Sequence, residues 1–179
     1  MKALRDPIRL IPVLFLAAIA IGTVLLSLPF ATVDGVRAPL LTALFTSTSA
    51  VAVTGLIVVD TPTYWSGFGQ GVILLLFQVD GFGIMTSATL LGLMAGRGFG
   101  LRDRMATQVE RSRLETHDAL TALRLILFIT IAVEGIVALI LTLRLIASYG
   151  EAPGLALWHG VFHSVSAFNN AGFSSYSDS

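Results

Sequence analysis

The residues with the greatest chemical reach in this chain carry no charge. Phe45 to Leu56 reads FTSTSAVAVTGL, a hydroxyl-rich run that closes on Gly55 and Leu56 and holds neither acid nor base. The chemistry open to such a run is coordination of a cation by main-chain oxygens. Carbonyls of an extended segment can replace an ion's hydration shell without any charged side chain. Glycine supplies the unusual backbone angles that let successive carbonyls face one way. Val51, Val53 and Thr54 suit the extended stretch, and Ser47, Thr48 and Ser49 can hydrogen-bond the end of a preceding helix. That helix, PLLTALFTSTSA from Pro39 to Ala50, would aim its partly negative C-terminal end at the site, which favours a cation. An anion would call for helix N-termini or for Arg and Lys, which the run does not offer.

The titratable residues are fewer and harder to place. Asp80, in QVDGFG, and Glu134, in TIAVEGIV, lie inside long apolar runs, where an acid is a functional hypothesis by default. Asp80 is a candidate ion-pathway carboxylate, although it stands off the glycine run. Glu134 reads first as a buried acid bonded to another helix or to Arg124 or Arg144, and second as an ion ligand. Arg144, near the end of its apolar run, can snorkel to the membrane interface. His159 and His163 have the i, i+4 spacing of a metal-binding face, but no neighbouring Glu completes a zincin-like motif. GRGFG (Gly96 to Gly100) follows an apolar run rather than a strand, so it is not read as a nucleotide loop. The chain has no cysteine, which removes thiol chemistry, disulfides and thiolate metal sites. No Ser/His/Asp arrangement has support beyond the residue types, and the expectation is a protein that is not an enzyme and has no cofactor of its own.

The elements that must position these residues are membrane spans. Of 179 residues 55% are hydrophobic and 12% charged, about half the charge of a soluble domain; mean hydropathy is +0.84. Leu10 to Phe30 is free of formal charge, Thr61 to Ala95 is broken only by Asp80, and Leu125 to Leu143 only by Glu134. Each is close to or above the ~20 residues that cross a hydrocarbon core. A cleavable signal peptide is the competing reading of the N-terminus, disfavoured by the length of the apolar run and the lack of a small-residue cleavage site. Lys2, Arg5 and Arg9 precede the first run, and Arg97, Arg102, Arg104, Arg111 and Arg113 follow the second. By the positive-inside bias both ends are cytoplasmic, so the glycine run lies in an outer excursion whose one base is Arg37. The formal net charge of +0 carries no information about partners; nothing indicates nucleic acid. The Pro39–Ala50 helix would reach about 18 Å, too short to cross. It is expected to be re-entrant, with non-helical backbone sheltered by protein or a water-filled cavity.

The sequence also repeats itself. LFTSTSAVAVTGL (Leu44 to Leu56) aligns without gaps to VFHSVSAFNNAGF (Val161 to Phe173), an offset of 117 residues. Phe45/Phe162, Ser47/Ser164, Ser49/Ser166, Ala50/Ala167 and Gly55/Gly172 are identical. The apolar spans keep the same step, and both copies start from the cytoplasmic side. That parallel arrangement argues against a secondary carrier, whose repeats are typically inverted. It suits a pore, which needs similar loops arrayed around an axis.

At these residues the sequence resembles the Trk/Ktr/HKT superfamily of potassium transporters, particularly its bacterial Ktr-like membrane subunits. The likeness lies in TSTSAVAVTGLIVVDT, FGQGVILLLFQVDGFGIMT and HSVSAFNNAGFS, and extends through GLRDRMATQVE. The resemblance implies an all-α membrane protein of repeated span–pore-loop–span units, four to a polypeptide, around a potassium pore. It assigns the selectivity filter to Val51, Ala52, Val53, Thr54 and Gly55 and to Phe168, Asn169, Asn170, Ala171 and Gly172. In the plant branch, serine at the first filter glycine goes with sodium preference, so Gly55 implies potassium. It also implies K+ as transported ion with Na+ as a candidate coupling ion, a homodimer, and a cytosolic nucleotide-binding regulatory ring in a lipid-embedded plasma-membrane (inner-membrane) setting. On this reading residues 1–95 form the first unit, 96–118 a cytoplasmic loop, and 119–179 an incomplete second unit, the whole being an N-terminal portion of a transporter. Asp80 departs from the family's usual glycine. A non-conducting truncated remnant or assembly module of such a transporter is the alternative.

Overall fold

The computed structural model describes residues 7–95 and 108–177. Helix α1 (Pro7–Leu26) is followed by a 3-10 turn at Pro29–Ala31, the short helix α2 (Leu40–Val51), the single turn α3 (Thr61–Tyr64) and the long α4 (Gly67–Ala95). Beyond them stand α5 (Gln108–Tyr149) and α6 (Pro153–Phe168). Among the described residues there is no strand, only an isolated antiparallel bridge between Thr32 and Trp65, in keeping with the all-α expectation.

The helices fall into two length classes. The 12 residues of α2 and the 16 of α6 extend about 18 and 24 Å, short of a ~30 Å hydrocarbon core. The 20, 29 and 42 residues of α1, α4 and α5 are long enough by length. Within them Pro12–Leu26, Gly67–Val79 and above all Leu123–Tyr149 are apolar, and the last is a full 27-residue candidate span. Helix α5 starts at Gln108, so part of the 96–118 segment expected as a loop is helical and continuous with the third span. The segment mixes five arginines with four acids, a charge pattern that suits a solvated helix as well as a loop.

Proline sets both short helices in motion. Pro39 stands extended just before α2, and its carbonyl accepts the first helical bond from Ala43 N–H at 3.0 Å. Ala152 does the same for Ala156 at 2.9 Å, with Pro153 in the first helical turn, where a missing N–H costs nothing. Helix α2 packs on α1 and α4, and α6 packs along α5. The second contact is close: a Cβ on Gly160 would meet the hydroxyl of Thr142 and lie 2.8 Å from the Ala138 carbonyl.

Helix α4 joins the halves. Phe77 is fully buried and meets Phe162 edge-on at 5.8 Å and Phe173 in a stack at 6.2 Å. Nearer the start of α4, Gln70 donates to the Trp65 carbonyl and accepts from the Trp158 indole, both at 2.9 Å. Outward faces are apolar: Leu14, Leu16, Phe128, Ile131 and Leu139 are all exposed, as a lipid- or protein-facing surface requires.

Candidate functional site

Both short helices end in the same way, at positions 117 residues apart. In α2 the N–H of Ala52 bonds the Thr48 carbonyl at 2.8 Å, and that of Thr54 reaches back to the Ser49 carbonyl at 3.1 Å. In α6 Asn169 N–H bonds Val165 at 3.1 Å, and Ala171 N–H bonds Ser166 at 2.8 Å. The six-residue return bond is that of a Schellman cap, which needs a left-handed residue just past the helix. Val53 (φ 51°) and Asn170 (φ 56°) fill that place. Two residues on, Gly55 (φ 67°) and Gly172 (φ 72°) are left-handed again. Ser49 Oγ donates to the Leu56 carbonyl and Ser166 Oγ to that of Phe173, each at 2.7 Å. The identical serines of the repeat thus tie each loop back to its own helix.

The loops meet at their glycines. A Cβ on Gly55 would lie 2.9 Å from the Ala171 carbonyl oxygen and 3.0 Å from Gly172 Cα, and a Cβ on Gly172 would lie 3.0 Å from Gly55 Cα. Glycine is required there by the left-handed backbone and by the contact. Among the described residues no donor reaches the carbonyls of Ala52, Val53, Thr54 and Gly55, or those of Asn169, Asn170, Ala171 and Gly172. Ala52, Thr54, Asn170 and Gly172 are exposed, so the surface these loops form is open to water or to a cation that oxygens can coordinate. The negative ends of two helix dipoles converge on it.

Two expectations change. Val51 and Phe168, assigned to the extended filter, are the last residues of α2 and α6, because each helix continues until the return bond of its cap can close. Val53, read as extended from its β-branched type, is left-handed; the cap's geometry overrides the side chain's preference. The other filter candidates, Ala52, Thr54, Gly55, Asn169, Asn170, Ala171 and Gly172, lie on the two loops.

The other candidates are carried by α4, α5 and α6. Asp80 lies within α4, and its side chain is outside the described residues. Glu134 is buried on α5 and takes amide hydrogen bonds from Gln78 Nε2 (3.2 Å) and Asn169 Nδ2 (3.4 Å), so its partners are another helix and the second loop rather than Arg124 or Arg144. His159 Nδ1 shares a 2.6 Å hydrogen bond with Ser175 Oγ, and Ser175 N–H donates to His163 Nε2 at 3.4 Å. The Tyr176 ring stacks on both imidazoles, at 4.3 and 5.3 Å, and its hydroxyl donates to Glu151 Oε1 at 2.7 Å. Burial, then the Glu151 bond and charge, push the Tyr176 phenol up to about 12. The histidines therefore clasp the segment after Gly172, and no metal-ligating group forms among the described residues. Sequence reasoning passed over Gln78 and Ser175; for Gln78 the available signal was an amide inside an apolar run.

Comparison with known proteins bears on this geometry. The family model for TrkH, described as a cation transport protein, matches residues 3–179. The chain belongs to the TrkH family. Ktr system potassium uptake protein B of Bacillus subtilis is 41% identical over 174 residues, which are 96% of this chain and 38% of that protein. Ktr system potassium uptake protein D of the same organism is 34% identical over 168 residues, 94% of this chain and 37% of the relative. Potassium/sodium uptake protein NtpJ of Enterococcus hirae is 34% identical over 174 residues, 97% of this chain and 38% of the relative. The chain therefore spans under two-fifths of the length of these relatives. As a TrkH-family chain it is a membrane protein of an ion-transport family, and these relatives are transporters rather than enzymes.

Proposed function

We propose that this chain supplies two of the loops that line a potassium-selective pore, with Ala52 to Gly55 and Asn169 to Gly172 as the filter segments. The observation that carries the reading is the pair of loops with matched left-handed residues, donor-free carbonyls and abutting glycines. In a bilayer an unpartnered carbonyl is costly; a dehydrating cation supplies the missing partner, as in carbonyl-lined filters. Two helix C-termini and the absence of any base on the loops favour a cation over an anion. The names of the relatives favour potassium, and that of NtpJ leaves sodium as a candidate coupling ion.

Two loops do not surround an ion. On this reading further span–loop–span units complete the ring, and residues 1–95 and 119–179 are one unit and part of the next. The N-terminus faces the cytoplasm of a plasma membrane that the chain crosses several times. The mixed-charge segment 96–118 lies on the same side and meets a cytosolic nucleotide-binding ring, in a protein that works as a homodimer. The test is Gly55→Ser in the complete protein, expressed in a potassium-deficient host. Uptake is expected to shift from potassium toward sodium; unaltered selectivity would remove this loop from the filter.

A further inference from the structure

The second loop has a support that the first lacks. Asn169 closes α6, and its Nδ2 donates to the Val165 carbonyl at 2.8 Å, to Gln78 Oε1 at 2.9 Å and to Glu134 Oε1 at 3.4 Å. Gln78 Nε2 donates to Glu134 Oε2 at 3.2 Å. Three elements, α4, α5 and the end of α6, thus meet at two amides and a carboxylate, directly behind left-handed Asn170. The other side of the Asn169 amide is fixed as well, because a Cβ on Gly81 would overlap its Oδ1. Ser164 Oγ donates to the Glu134 carbonyl at 2.7 Å, tying the same turn of α5 to α6.

A carboxylate in this place is costly to bury, and an apolar side chain would fill the space as well. What a carboxylate adds is orientation. With both oxygens accepting, Glu134 fixes which end of the Gln78 amide faces it and therefore which end faces Asn169. In the first loop Ala52 stands where Asn169 does and can take no part in such a relay.

We infer that Glu134 and Gln78 are positioning residues that hold Asn169, and through it the second loop, in the shape that discriminates potassium from sodium. This rests on the filter reading above. Neither residue touches the ion; they act on the loop's backbone, so their effect falls on selectivity more than on the amount of folded protein.

The test uses the complete transporter in a potassium-deficient host, with membrane levels quantified. Glu134→Gln keeps only one accepting oxygen and so sets donor against donor at either Gln78 or Asn169, and Gln78→Glu sets two carboxylates together. Each is expected to lower potassium-over-sodium discrimination by about tenfold, the scale of one lost hydrogen bond to a charged group. The double exchange Gln78→Glu with Glu134→Gln preserves every donor–acceptor pairing and is expected to restore discrimination. A double exchange no better than its single variants, or single variants that alter maximal uptake at unchanged discrimination, would overturn the latch. Gly55→Ser reports on the filter alone, since it touches none of these groups. Altered selectivity there with none in the Glu134→Gln protein overturns the latch only; no change in either overturns the filter reading and the latch with it.

Discussion

Ala52 and Asn169 occupy the same place, the residue that closes a short helix ahead of a glycine loop, and they differ in almost everything else. After Ala52 the loop is held by its own neighbours. Ser49 Oγ and Thr54 Oγ1 share a hydrogen bond at 2.9 Å, and Ser49 also reaches the Leu56 carbonyl. After Asn169 the position of Thr54 is taken by Ala171, which has no hydroxyl, and the loop is held from outside by Gln78 and Glu134. Both copies share the serine tie and the cap's return bond, and to these the first adds a local hydroxyl bond and the second a tie to the spans. A repeat can keep its geometry while dividing its dependence, so that movement of α4 or α5 would be felt at one loop before the other.

The comparison breaks most severely at what the loops share. Gly172→Ala places a Cβ against Gly55 Cα at 3.0 Å in a left-handed backbone, where an L side chain alone costs about 1–2 kcal/mol. Uptake by the complete protein is expected to fall more than any other single change here produces, and Gly55→Ala should do nearly the same. Asn169→Leu comes next: it strips both polar partners from the second loop and leaves Gln78 Oε1 and Glu134 Oε1 without their donor while the Gln78–Glu134 bond stays, at about 1–3 kcal/mol. A thermal-denaturation series in detergent should show that loss, while the matching change Ala52→Leu, at an exposed position, should cost far less.

Smaller changes sharpen the contrast. Thr54→Val removes the local hydroxyl bond and makes the first loop resemble the second without giving it outside support, for a loss of about 0.5–1.5 kcal/mol in the same series. Val53→Asn installs the residue found at the equivalent cap. Asn tolerates the left-handed region better than a β-branched side chain, so a gain of up to about 1 kcal/mol is expected. Equal responses of the two loops to these substitutions would erase the proposed difference in how they are held.

The backbone design was legible in the residues, and its supports were not. Gly55 and Gly172, the serine pair and the offset of 117 residues mark both loops, because glycine and helix-ending hydroxyls act within a few residues of where they stand. Pro39 likewise marks the start of α2. Val53 misled because a left-handed valine is rare; its counterpart Asn170, a residue that accepts such angles, was the hint. The ends of α2 and α6 fall one residue later than expected because the cap, not local propensity, stops them. The start of α5 at Gln108 was hidden by charge that suits a solvated helix as well as a loop. The contact of Gln78 with Glu134 and Asn169 spans 56 and 91 residues of sequence and depends on how α4 crosses α5 and α6, which no local pattern encodes. The sequence pointed to acids as the notable polar groups, while the structure makes a glutamine the link between Glu134 and Asn169.

The central claim is that main-chain oxygens of the two loops, not the Asp80 or Glu134 carboxylate, hold the ion. Anomalous diffraction from crystals of the complete transporter soaked in rubidium, a heavier stand-in for potassium, tests it most directly. The account predicts a peak within coordination distance of carbonyls among Ala52 to Gly55 and Asn169 to Gly172. A peak seated instead on the Asp80 or Glu134 carboxylate, with none at the glycine loops, would contradict it.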